Sequence, residues 1–86
     1  MFIRHQVDDF DAWKDAYDEF DEERSEMGVK DDAVFQAVND PEDVTVWHDF
    51  ESQDAARSFL DSPRLREVMT SAGVVGEPDI WFATRA

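Results

Sequence analysis

Residues 44–63, VTVWHDFESQDAARSFLDSP, hold a complete strand, turn and helix. From Val44 to Phe50, β-branched and aromatic residues are interspersed with Thr45, His48 and Asp49, the pattern of a strand. Ser52 then caps a helix by accepting from a backbone N–H two or three residues on. Ala55, Ala56, Phe59 and Leu60 follow at the spacing of one buried stripe.

Moving 43 residues back, the same unit recurs. His48 falls on His5, Val46 on Ile3, Phe50 on Val7, Ser52 on Asp9, Ala55 on Ala12, Phe59 on Ala16 and Leu60 on Tyr17. Both copies place a short polar residue where the helix begins. Two copies are too few for a solenoid, which needs at least three repeats. A strand–helix–strand duplicated and folded on itself is the simpler reading.

The remaining segments fit that frame. Phe2 to Val7 is a strand with Ile3, His5 and Val7 on one face and Phe2, Arg4 and Gln6 on the other. A first helix, capped by Asp8 or Asp9, carries Phe10, Trp13, Tyr17, Phe20 and Met27 on one stripe, with Ala16 and the stem of Arg24 filling gaps, and ends at Gly28. Ala33 to Val38 reads as the second strand, and Asn39 to Asp43 as a turn. Pro63 opens a fresh helical segment after Ser62, because an interior proline costs about 3 kcal/mol. Gly73 stops that segment, Val74 to Pro78 crosses over, and Asp79 to Arg85 is the last strand.

The order βαββαβ predicts an α+β, ferredoxin-like sandwich: one antiparallel sheet in the order 4-1-3-2 with both helices on one face. Residues 1–86 make one domain. The strands are apolar on both faces, with Phe35, Trp47 and Trp81 set against Val34, Val46 and Ile80. A homodimer, sheet against sheet, is the economical way to cover the second face.

Composition excludes several functions. Twenty-two acidic residues face eight basic ones, for a net charge of −14, and 14 of the acids are Asp. Phosphate binding needs a basic footprint, so nucleic acid is not an expected partner. The acidity suits a salt-rich cytoplasm of the kind halophilic archaea maintain, where counter-ions screen the surface. No apolar run reaches the ~20 residues of a membrane span, and the opening residues lack the apolar core of a signal peptide, so a cytoplasmic location is expected. The absence of cysteine excludes disulfides, thiolate catalysis and Cys-bound zinc.

With the order βαββαβ, the turn WHDFESQDA and the tail AGVVGEPDIWF in hand, the chain resembles the dimeric α+β barrel superfamily. In particular it resembles small antibiotic-biosynthesis-monooxygenase-like proteins, some described as cyclases. The resemblance covers nearly the whole chain. It implies a homodimer with a ligand cavity between sheet and helices. Among relatives are cofactor-free monooxygenases of polyketide-like phenols, haem-degrading oxygenases and haem enzymes. Many relatives carry Trp where Phe50 stands and a helix His where Phe59 stands. The loss of that His takes away the residue on which haem-degrading relatives rely, so no cofactor is expected.

His5 and His48 are the only histidines, lie at equivalent places of the two halves and share one sheet face. The first and third strands are expected to be neighbours, which would bring the rings close together. A half-buried imidazole titrates near neutrality and suits a general base on a phenol. No third ligand is fixed in sequence, so a metal site is not expected. Trp13, Tyr17, Phe50 and Phe82, with Trp47 and Trp81, are candidates to line an aromatic pocket, although aromatic stripes more often form core. Arg4 and Asp49, on the opposite sheet face, are candidates for an ion pair across an interface. Two functions remain open: a cofactor-independent monooxygenase or cyclase acting on a small aromatic or quinol-like molecule, and a non-catalytic dimeric domain that binds a small hydrophobic ligand or scaffolds.

Overall fold

A computed structural model describes residues 1–86. The elements are β1 (Phe2–Val7), α1 (Phe10–Glu19), α2 (Asp21–Glu26), β2 (Asp31–Ala37), β3 (Asp40–Asp49), α3 (Gln53–Leu60), α4 (Pro63–Ser71) and β4 (Val74–Trp81). They build one four-stranded antiparallel sheet in the order β2-β3-β1-β4. This is the ferredoxin-like α+β arrangement that the element order predicts.

The two strand-to-helix turns are built alike. The Asp9 carboxylate accepts from the N–H groups of Asp11 and Ala12, at 3.0 and 3.4 Å, and the Ser52 hydroxyl accepts from Ala55 N–H at 3.1 Å. Pro63 stands at the start of α4 behind Ser62, where its missing N–H costs nothing. Gly73, which ends α4, has φ +88°, and a Cβ there would meet the Asp8 carboxylate at 2.1 Å. Glycine is required.

Several boundaries differ from the sequence reading. β2 runs over Asp31–Ala37 rather than from Ala33 to Val38, and the last strand ends at Trp81 rather than at Arg85. The first helix is not continuous to Gly28 but breaks at Phe20. There the Tyr17 carbonyl accepts from Phe20 N–H and from the Arg24 guanidinium, so it is no longer available to extend the α-helical ladder. The expected turn at Asn39–Asp43 is shorter, because β3 already begins at Asp40 and includes Pro41. The expected crossover Val74–Pro78 is instead the first part of β4. Arg4 pairs with Asp79 but Gln6 pairs with Val75, so Gly76, Glu77 and Pro78 bulge outward opposite His5. An edge strand tolerates a bulge and a proline that a central strand would not.

One face of the sheet lies under the helices. Ile3, His5, Val7, Val44, Val46 and His48 are buried there with Trp13, Phe20, Phe59 and Leu65. The other face is uncovered. Phe2 and Trp81 stack on it with ring centroids 5.3 Å apart, and Phe35 and Trp81 are 55% and 43% exposed. Arg4 also lies on this side and forms a bidentate pair with Asp43, at 2.9 and 2.6 Å. Within the chain its partner is thus Asp43 rather than Asp49. Asp43, the diagonal cross-strand neighbour, is within reach and takes the Nε–Nη2 edge of the guanidinium.

Candidate functional site

The chain buries three polar side chains: His5, Arg24 and His48, at 7%, 3% and 3% exposure. All three line one cavity of about 50 Å3 between sheet and helices. Around them stand Ile3, Trp13, Tyr17, Phe59 and Met69. Each of the three also carries buried nitrogen without a partner: both ring nitrogens of His5, Nε of Arg24 and Nδ1 of His48. A buried donor or acceptor left unmatched costs about 1–3 kcal/mol, so such groups are rare and gather where function needs them.

Strand pairing places both imidazoles on the helix side but holds them apart. His5 faces Val44 across the β1–β3 ladder, whereas His48 N–H donates to the Met1 carbonyl. The four residue steps from Val44 to His48 span roughly 13 Å of strand. The expectation that the rings approach each other is thus corrected by the register. α1 bridges them with aromatic rings instead: His5 to Trp13 at 5.6 Å, Trp13 to Tyr17 at 4.9 Å and Tyr17 to His48 at 6.2 Å between centroids.

A polar chain holds the His48 end. Tyr17 Oη lies 2.5 Å from Asp32 Oδ2 and 3.2 Å from His48 Nε2. The Arg24 guanidinium lies flat on the Tyr17 ring, 3.6 Å from its centroid, and pairs with Asp21 at 3.1 Å and Asp32 at 3.6 Å. Burial, then the nearby Arg24 charge, pushes the His48 pKa down to about 4, against which Asp32 acts weakly. Burial also lowers His5. Burial and the bond to Asp32 raise Tyr17. Both imidazoles are therefore neutral near pH 7.

Of the aromatic residues singled out in sequence, Trp13 and Tyr17 line this cavity. Phe50 and Phe82 do not: they line a broad groove on the uncovered side, with Phe2, Phe35 and Trp47. Phe50 also packs on Phe59 at 5.4 Å, and Arg57 lies over the Phe82 ring at 5.1 Å. Phe59, which replaces the helix His of many relatives, is 1% exposed and meets His48 edge-on at 5.3 Å. That contact is core packing. Arg24 and Asp32 escaped the sequence reading. Arg24 does fall on the apolar stripe, four residues after Phe20 and seven after Tyr17, and a cation on that stripe was the available signal. Asp32 gives none, because an acidic residue at a strand's start in so acidic a chain is unremarkable.

Residues 1–71 match the family model described as antibiotic biosynthesis monooxygenase. The chain belongs to that family. No curated protein matches it. Among solved structures, the one described as "Putative antibiotic biosynthesis monooxygenase from Nitrosomonas europaea" aligns with a TM-score of 0.70 over 91% of this chain and 80% of its own, at 13% identity. At that identity the likeness speaks for the fold. No helix is long and apolar enough to cross a membrane.

Proposed function

We propose that this family member is a cofactor-independent monooxygenase or cyclase-type enzyme that takes a small aromatic or quinol-like substrate at the cavity beside His5 and His48. The observation that carries the reading is the convergence on one cavity of every buried polar side chain, each with an unpaired nitrogen. Trp13 and Tyr17 supply flat apolar walls, and the imidazoles accept and return protons. For a phenol the reaction balances as phenol plus dioxygen giving quinone plus water. The phenolic proton passes to an imidazole, and the electron-rich ring carbon bonds to dioxygen. The imidazolium protonates the resulting peroxide, and loss of the ring C–H proton with O–O cleavage releases quinone and water.

The cavity of about 50 Å3 holds dioxygen or a few waters, whereas pockets for ring-sized ligands run to about 300 Å3 and more. Entry of a ring therefore requires side chains of α4 to move. Met69 and Val68 are only partly buried there, and the unbranched Met69 side chain adapts most readily. A second reading, a domain that binds such molecules without turning them over, is favoured by the low basicity of His48, since a base works best with a pKa near the working pH.

Oxygen uptake with a panel of phenols and hydroquinones separates the two. The enzyme reading expects uptake matched to substrate loss, reduced about 100-fold in His5→Gln or His48→Gln. Binding without uptake leaves only the second reading.

The same proposal includes a homodimer in which the uncovered sheet face meets its copy. Phe2, Phe35, Trp47 and Trp81 otherwise leave an apolar patch in water. Sedimentation in concentrated salt is expected to give twice the chain mass of 10.0 kDa. A single-chain mass at micromolar protein would overturn the assembly.

A further inference from the structure

We infer that Asp32 and Tyr17 lock His48 as its Nε2–H tautomer, and that the site thereby selects ligands that bring their own O–H group. Donor counting fixes the tautomer. Tyr17 has one hydroxyl proton and two neighbours. The 2.5 Å separation from Asp32 Oδ2 is that of a hydroxyl donating to a carboxylate. The Tyr17 oxygen can then only accept from His48 Nε2, 3.2 Å away, so Nε2 carries the imidazole proton. Nδ1 is left as a lone pair, buried and without a partner.

The unmatched groups at this cavity now have definite signs. His48 Nδ1 accepts and Arg24 Nε–H donates, while His5 offers one donor and one acceptor. A hydroxyl answers both signs, because its hydrogen donates and its oxygen accepts. A phenol or hydroquinone therefore suits the site. An aryl ether or a quinone, which only accepts, leaves Nδ1 of His48 unanswered. This deepens the proposed function by giving the aromatic ligand an obligatory hydroxyl, and it makes Asp32 a positioning residue that acts through Tyr17. It also separates substrate from product, since oxidation to a quinone removes the O–H that Nδ1 requires.

The test does not depend on turnover. Two-bond 1H–15N spectra of the parent near pH 7 are expected to show His48 with its proton on Nε2 and an unprotonated Nδ1. Phenol is then expected to perturb the Nδ1 resonance and to bind about tenfold or more tightly than anisole, which has the same ring but no O–H. In Tyr17→Phe the Nε2–H has no acceptor, so the tautomer preference and the phenol-over-anisole preference both fall away. Asp32→Leu is expected to free the Tyr17 proton to donate to His48 and to move the imidazole proton to Nδ1. A parent protein with the proton on Nδ1 overturns the inference whether or not the variants fold. Equal affinity for phenol and anisole overturns the ligand selection. Neither result bears on oxygen uptake, so the proposal of an oxygenase stands or falls separately.

Discussion

Raising KCl from about 0.1 M to about 1 M is expected to lift the thermal midpoint by about 20 °C. The cause is the net charge of −14 on 86 residues. Of the eight cations, Arg4, Lys14, Arg24 and Arg64 form ion pairs, so most carboxylates face water with no partner. At about 0.1 M salt the screening length is roughly 10 Å, comparable with the 12.3 Å radius of gyration, and charges across the whole molecule repel one another. At about 1 M it is roughly 3 Å, and only adjacent charges interact. For a folded sphere of roughly 15 Å and an unfolded chain about twice as wide, the repulsion opposing folding falls by on the order of 4 kcal/mol between these salts. One kcal/mol moves the midpoint of a domain this size by about 4–8 °C. Melts across the range decide the matter. A flat or falling midpoint would show that the acidic surface does not govern stability.

How far the sequence carried the fold can be seen at particular residues. Asp9, Ser52, Pro63 and Gly73 are local signals with local consequences, and each stands in the structure where its chemistry predicts. Periodicity likewise put His5 and His48 on the helix-facing side of neighbouring strands. Register is a different kind of property. Whether His48 lies opposite His5 or beyond Met1 depends on the whole β1–β3 ladder, and a period-2 pattern is unchanged by a slip of two residues. The β4 bulge was hidden for a related reason: Gly76 and Pro78 are turn formers, and only pairing along β1 shows that the chain stays in the sheet through them.

The site was half legible. Its imidazoles stand out because the chain has only two of them, whereas in sequence Arg24 reads as an aliphatic stem bridging a gap in the stripe. Its whole side chain is buried instead, with the guanidinium bonded to the Tyr17 carbonyl and lying over the Tyr17 ring where the helix breaks at Phe20. A helix break that accompanies a side-chain bond to a carbonyl seven residues back has no signature in single-residue propensity. Asp32 enters the site only because Arg24 and Tyr17 are already there.

Lowering the pH from 6.5 to about 4 is expected to cost the fold about 3 kcal/mol through His48 alone. The folded pKa, about 4, lies below the ordinary value of 6.5, so between those values the unfolded chain binds the proton and the folded chain does not. Stability is therefore fully present above pH 6.5 and drains away as the pH falls toward 4. The physical cost is a second buried cation beside Arg24, in a site where Asp32 answers only part of the charge. His5, also lowered by burial, adds in the same direction. Protonation of surface carboxylates relieves self-repulsion and works the opposite way, so the melts belong in concentrated KCl, where that relief is small. Glu23 and Asp43, lowered by their arginine partners, lose stability on acidification too, but both are exposed pairs and weigh little. The comparison that isolates the imidazole is His48→Gln, which keeps a hydrogen-bonding group and does not titrate. The parent midpoint is expected to fall steeply between pH 6.5 and 4, and the variant's to fall much less. Equal slopes would mean that His48 is not held neutral by its surroundings, and the burial of an unmatched imidazole would lose its energetic meaning.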